Sequence, residues 1–216
     1  MNADSEMPAV IVEFIATSAI IRFNRPSRRN SLSGSTLAKL DAVFSQAESR
    51  SDVSTIIFTG TADVFASGAD IRELAKLDPI SARAFAERGQ RLFQRIAEAP
   101  QLTAAAINGY CMGGALDLSL ACDFRIASSS AVFAHPGSHL GIITGWGGTQ
   151  RLPRLIGRAR ALELFMTARR VNAAEALHLG LISAIEDPVL EGALRLGHKI
   201  KKEVADFAAT PGVNSN

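Results

Sequence analysis

The stretch from Leu102 to Asp123 constrains the fold most. The apolar run Leu102–Ile107 is long enough only for a buried strand, and it passes through Asn108-Gly109-Tyr110 into the pair Gly113-Gly114. An apolar helical pattern then continues to about Ala121. The first N–H groups of a helix have no intrahelical acceptor, and the macrodipole adds positive potential there. Glycine lets another group come close to that backbone. Two readings of Gly113 and Gly114 stay open: a site for an anion or oxyanion, or tight packing of helix on strand.

A second stretch has the same character. The buried run Thr55–Phe58 ends at Thr59-Gly60, a loop runs from Thr61 to Asp70, and Gly68-Ala69-Asp70 precedes a short helix expected at Ile71–Leu77. Two strand-to-helix turns, each with a free amide, are the parts needed to grip one carbonyl oxygen from two sides.

The remaining pattern extends this architecture. Val10–Ile15 and Ala19–Phe23 form an expected hairpin, and Leu37, Leu40, Val43, Phe44 and Ala47 share a helix face with Ser35 or Thr36 as N-cap. A long helix is expected over Ser81–Glu98, short strands at Phe124–Ala127 and Val132–Ala134, and helices at Arg158–Thr167 and Ala173–Leu179. A strand at Ile182–Ile185 and a helix from about Val189 to Ala208 complete the series. Strand–helix alternation predicts an α/β class with mostly parallel pairing. The expected organisation is a core over residues 1–145, a helical extension over 146–208 and a disordered tail over 209–216.

Composition narrows the function classes. A formal net charge of +2 over 216 residues is too small to imply a nucleic-acid partner. No apolar run approaches the roughly 18 residues that span a bilayer, so no membrane partner is expected. Met1 to Ala9 lacks a signal-peptide core, which makes the cytoplasm the default expectation. Cys111 and Cys122 lack Cys-x-x-Cys spacing and are expected to be buried packing thiols, with no metal site.

Several segments in order resemble the enoyl-CoA hydratase/isomerase, or crotonase, superfamily. They are Asn24-Arg-Pro followed by Asn30-Ser-Leu, Phe65-Ala-Ser-Gly-Ala-Asp-Ile, Asn108-Gly-Tyr-Cys-Met-Gly-Gly, Ala121-Cys-Asp-Phe-Arg-Ile-Ala, and Gly145-Trp-Gly-Gly-Thr-Gln-Arg-Leu. The resemblance runs from about residue 10 to residue 200. It implies a spiral of ββα units followed by helices, assembled as a homotrimer or dimer of trimers. It also implies an acyl-CoA substrate, with coenzyme A as part of the thioester and no covalently bound cofactor. The family's oxyanion hole falls on the amides of Ala69 and Gly114, with Gly113 beside them. The coenzyme's adenine end falls near Ala66, Asp70 and Ile71. Arg28 and Arg29 stand where the coenzyme phosphates are expected, although a solvated loop would also explain them.

Two departures from the family pattern stand out. Its hydratases use two glutamates, and these positions hold Asp117 and Gly137 here. Glycine can neither activate water nor protonate carbon. Asp117 lies in the apolar run Leu116–Leu120, as a catalytic carboxylate or a structural cap for a neighbouring helix. If the following stretch is extended, His135, Gly137 and His139 share a face. Two readings of His135 stay open: a structural histidine at a strand end, which is the commoner case, or a group filling part of the missing acid/base role. Naphthoate synthases of the family also carry glycine at the second position and bind an external anion there. The C-terminal helical region is the second departure, because it looks shortened. The leading expectation is an enoyl-CoA hydratase/isomerase-like enzyme with Asp117 as acid/base. The alternatives are a thioester hydrolase or decarboxylase of the same fold, and a non-catalytic acyl-CoA binder.

Overall fold

The computed structural model describes residues 8–208, and the tail expected over 209–216 lies outside them. The chain runs β1 (Val10–Ile15), β2 (Ser18–Phe23), α1 (Gly34–Glu48), β3 (Thr55–Thr59), β4 (Val64–Ala66), α2 (Ile71–Leu74) and α3 (Pro79–Ala97). It continues through β5 (Leu102–Ile107), β6 (Tyr110–Met112), α4 (Gly114–Ala121), β7 (Phe124–Ala127) and β8 (Val132–Ala134). The last elements are α5 (Gly148–Ile156), α6 (Arg158–Thr167), β9 (Val171–Asn172), α7 (Ala173–His178), β10 (Ala184–Ile185) and α8 (Val189–Ala208).

Two sheets result, one ordered β1-β2-β3-β5-β7-β10 and the other β4-β6-β8-β9. Pairing from β2 to β10 is parallel, as it is from β4 to β8, while β1 and β9 join antiparallel at their edges. Each successive turn of chain, β3–β4, β5–β6 and β7–β8, leaves one strand on each sheet. This coil is the spiral of ββα units that the resemblance implies. The segment after Trp146 adds an edge strand to both sheets, β9 to one and β10 to the other.

Burial on both faces of the large sheet explains its composition. All five residues of β3 are buried, as befits a parallel strand covered on both sides. Alternation sends Ile56 and Phe58 to the main core, while Ile57 joins Ala104, Ala106 and Ile126 against Val189 and Ala193 of α8. Cys111 and Cys122 are free and buried, and burial pushes the Cys122 thiol up to about 12. Among the described residues no helix is long and apolar enough to cross a membrane.

Several boundaries differ from the sequence expectation, each for a local reason. The cap of α1 is Ser33, not Ser35 or Thr36, because its hydroxyl accepts the Thr36 N–H at 3.1 Å. Helix α3 starts at Pro79, before Ser81, because Asp78 and Ser81 form a reciprocal capping box. Strands β4 and β6 occupy segments expected to be loop and turn. Each has only three residues, and each exists through pairing with distant chain. Of the strand expected over Ile182–Ile185, only Ala184–Ile185 pairs.

Candidate active site

The site begins where two strand-to-helix turns touch. After β4 the chain turns at Gly68, whose φ of +88° suits glycine. A Cβ there would lie 2.6 Å from the Met112 carbonyl oxygen and 3.0 Å from the Gly114 nitrogen. The loop carrying Ala69 therefore abuts the first turn of α4. It is held on its other side by the Arg28–Leu32 segment, through Ser67 N–H to Arg29 O at 3.0 Å and Leu32 N–H to Gly68 O at 2.7 Å. Among the described residues neither the Ala69 nor the Gly114 N–H donates a hydrogen bond to backbone or side chain. Both residues line a cavity of about 510 Å³.

The walls of that cavity are mainly apolar. Leu74, Phe85, Ile142, Ile143, Phe165 and Met166 contribute, and so does the indole of Trp146. Trp146 packs between Phe85 and Phe93, with centroids at 5.3 and 5.5 Å. A Cβ on Gly114 would overlap the Trp146 ring, so glycine at 114 allows an aromatic to stand directly beside the free amide.

Asp117 and His135 form the polar corner. Asp117 is fully buried on α4 and lies behind the cavity lining, whereas His135 is part of it. The Thr144 hydroxyl donates to Asp117 Oδ2, and the Trp146 N–H donates to the same oxygen at 3.2 Å. Gly148, at the start of α5, packs against the carboxylate, where a Cβ would overlap Oδ1. Oδ1 faces His135 Nε2 at 3.4 Å, and neither atom has a hydrogen-bond partner. Burial raises the Asp117 carboxyl to about 6, against the lowering effect of Thr144, the Trp146 and Gly148 amides and the Arg151 charge. Burial alone lowers His135 to about 4. The His135 ring rests tilted on Phe165, centroids 5.0 Å apart.

Beyond His135 the expected geometry does not hold. Pro136–Leu140 is a 3-10 turn closed by Gly141 in the left-handed region, so His135, Gly137 and His139 do not share an extended face. Pro136 starts that turn, and Ile142 N–H returns to Gly137 O at 3.0 Å. His139 is exposed and lies outside the cavity lining. A Cβ on Gly137 would sit 2.6 Å from the Ile142 carbonyl oxygen, so the backbone at 137 leaves no room for a side chain.

Comparison with known proteins fits this geometry. The family model described as enoyl-CoA hydratase/isomerase matches residues 13–210. The chain belongs to that family. It is 38% identical to a short-chain-enoyl-CoA hydratase of Clostridium acetobutylicum, over 90% of this chain and 76% of that protein. It is 39% identical to a crotonyl-CoA hydratase of Syntrophomonas wolfei, over 83% of this chain and 69% of that one. Among solved structures, an enoyl-CoA hydratase of Bacillus anthracis superposes with a TM-score of 0.86 at 35% identity, covering 97% of this chain and 85% of that one.

Within this enoyl-CoA hydratase/isomerase fold, the residues singled out in the sequence fall into two groups. Ala69, Ile71, Gly113, Gly114 and His135 meet at the cavity. Arg28, Arg29, Ala66 and Asp70 lie outside its lining. Asp70 serves locally, accepting the Arg72 N–H at 2.9 Å as cap of α2 and the Ser31 hydroxyl at 3.3 Å. Arg28 and Arg29 are exposed, and among the described residues their guanidinium groups make no ion pair. Sequence reasoning missed Thr144, Trp146 and Phe165. The chain's single tryptophan, set among Gly145, Gly147 and Gly148, was the one available signal. Among the described residues no group of three or more His, Cys, Asp or Glu is placed to hold a metal ion.

Proposed function

We propose that the protein acts on acyl-CoA thioesters by enoyl-CoA hydratase/isomerase chemistry, holding the thioester oxygen between the Ala69 and Gly114 N–H groups. The observation that carries this reading is the pair of unpartnered amides opening on one apolar cavity. As negative charge develops on the thioester oxygen, two fixed donors in a water-poor site stabilise the enolate more than the starting carbonyl. The apolar walls suit an acyl chain, and Arg28 and Arg29, on the segment strapped to the Ala69 loop, suit the coenzyme phosphates.

Proton transfer falls to the Asp117–His135 corner, because among the described residues His135 is the one titratable side chain that lines the cavity. One such unit can carry a proton from one carbon of an enolate to another, which favours moving a double bond between the 3- and 2-positions. Hydration is the second reading. The relatives' names favour it, although it needs an activated water as well as a proton donor.

Short 3-enoyl-CoA and 2-enoyl-CoA thioesters, incubated with the protein and resolved by chromatography and mass spectrometry, separate these reactions. Isomerisation keeps the mass and moves the double bond, hydration adds a water, and hydrolysis releases free coenzyme A. Both thioesters left unchanged despite measurable binding would sink the enzymatic reading in favour of a binding role.

A further inference from the structure

The cavity lining separates the two members of the polar corner. Asp117 is 0% exposed and behind the wall, while His135 is in the wall itself. Asp117 Oδ2 is occupied by the Thr144 hydroxyl and the Trp146 N–H, which leaves Oδ1 directed at His135 Nε2. Two buried polar atoms without other partners, 3.4 Å apart, are complementary when one carries a proton and the other is ionised. With Nε2 turned to Asp117, Nδ1 is the ring nitrogen left for the cavity. The Phe165 ring packs tilted against the imidazole, centroids 5.0 Å apart.

We propose that His135 is the catalytic group that takes and returns the substrate proton, and that Asp117 is a positioning residue holding the imidazole from behind. This rests on the acyl-CoA reading above and reassigns the proton carrier within it. In the isomerisation direction, the α C–H bond breaks as a bond forms between that proton and Nδ1. The C–H electron pair moves into the thioester, forming a dienolate whose oxygen the Ala69 and Gly114 N–H groups hold. The proton then passes from Nδ1 to the γ-carbon as the dienolate collapses, leaving the α,β double bond and a neutral imidazole. No co-reactant is needed.

The protonation states suit this step at neutral pH. Oδ1 of Asp117 stands 3.4 Å from Nε2, the side from which a carboxylate orients the ring, and burial favours the neutral imidazole, which keeps a lone pair on Nδ1. The groups facing the pair are few. Asp117 comes from α4, Arg151 from α5 and the buried Cys111 thiol from β6, while α6 presents Phe165. Gly137 offers nothing, because its backbone is closed against Ile142.

The test is exchange of the α-protons of butyryl-CoA, a saturated thioester that cannot be hydrated, in deuterated buffer from pH 5 to 9 by NMR. The wild-type rate is expected to fall as pH drops through about 6, when Asp117 protonates and releases the ring. His135→Gln is expected to lose on the order of 100-fold or more, with butyryl-CoA affinity retained. Asp117→Asn is expected to lose about 10- to 100-fold through misplacement of the ring, and to lose the limb near pH 6. Full exchange in His135→Gln with none in Asp117→Asn would overturn the assignment and make Asp117 the proton carrier. A wild-type protein that binds butyryl-CoA but exchanges nothing would overturn the acyl-CoA enolate reading itself. Nitrogen-15 NMR of the histidine-labelled, unmutated protein keeps the test open if a variant fails to fold. A His135 ring protonated on Nε2 at pH 7.5 is expected, and protonation on Nδ1 would contradict the proposal.

Discussion

Asp117 Oδ1 and His135 Nε2 face each other at 3.4 Å, both buried and neither with another hydrogen-bond partner. The rest of the carboxylate is tied to the start of α5, and the rest of the imidazole borders the cavity. Helix α4, the 3-10 turn after β8 and the N-terminus of α5 are thus joined at one acid/base pair. Its energetics set a pH signature for the whole fold.

Asp117 has a folded value of about 6, above the usual 3.8, so the folded state binds this proton more tightly than the unfolded chain. The associated stability is full below about 3.8 and is lost as pH rises to about 6. His135 works in the opposite direction, from 6.5 down to about 4. Its contribution is full above 6.5 and is lost as pH falls towards 4. In urea titrations, Asp117→Asn should gain on the wild type by up to about 3 kcal/mol between pH 4 and 6, with no further gain above. A difference that does not vary with pH would refute the raised carboxyl.

Restoring a glutamate at position 137 should not create a two-carboxylate hydratase. A Cβ there meets the Ile142 carbonyl oxygen at 2.6 Å, and that carbonyl belongs to backbone that has to move. Gly137→Glu should cost about 1–3 kcal/mol in stability and leave hydration of 2-enoyl-CoA no faster than in the wild type. Thermal denaturation and a crotonyl-CoA hydration assay measure the two effects.

Trp146 ties the cavity wall to the core. Its ring packs on Phe85 and Phe93 and closes over the glycine backbone at 89 and 114. Trp146→Ala should cost about 3–5 kcal/mol by chemical denaturation. In the protein that remains folded, the preferred acyl chain should lengthen as the wall recedes, read from relative kcat/KM across a series of 3-enoyl-CoA lengths.

The exposed Arg28 and Arg29 should act on binding and not on chemistry. Replacing either with Ala is expected to raise KM for acyl-CoA roughly 2- to 5-fold with kcat unchanged. The effect should fade at high salt, since both groups are in water. Isothermal titration with acyl-CoA at two ionic strengths is the check. A fall in kcat in either variant would place these arginines elsewhere in the mechanism.

Much of this was legible in the sequence, and what was not has a physical reason. Leu102–Ile107, Phe124–Ala127 and Arg158–Thr167 match their expected spans, because apolar runs and helical periodicity are local signals. Strands β4, β6 and β9 were not legible, since each follows loop or turn residues and only pairing with distant chain makes it a strand; β8, equally short, was expected at Val132–Ala134. Ala69 and Gly114 could be picked out as strand-to-helix turns. The order of Asp117 and His135 relative to the cavity could not. It depends on Thr144 and Trp146, 27 and 29 residues beyond Asp117, which pull the carboxylate towards α5.

The most direct test is a crystal structure with a non-reactive acyl-CoA thioester analogue bound. The thioester oxygen is expected at about 2.7–3.1 Å from both the Ala69 and Gly114 nitrogens, with the α-carbon beside His135 and the acyl chain along Trp146 and Phe165. A thioester held elsewhere, or one whose oxygen touches neither amide, would contradict that geometry.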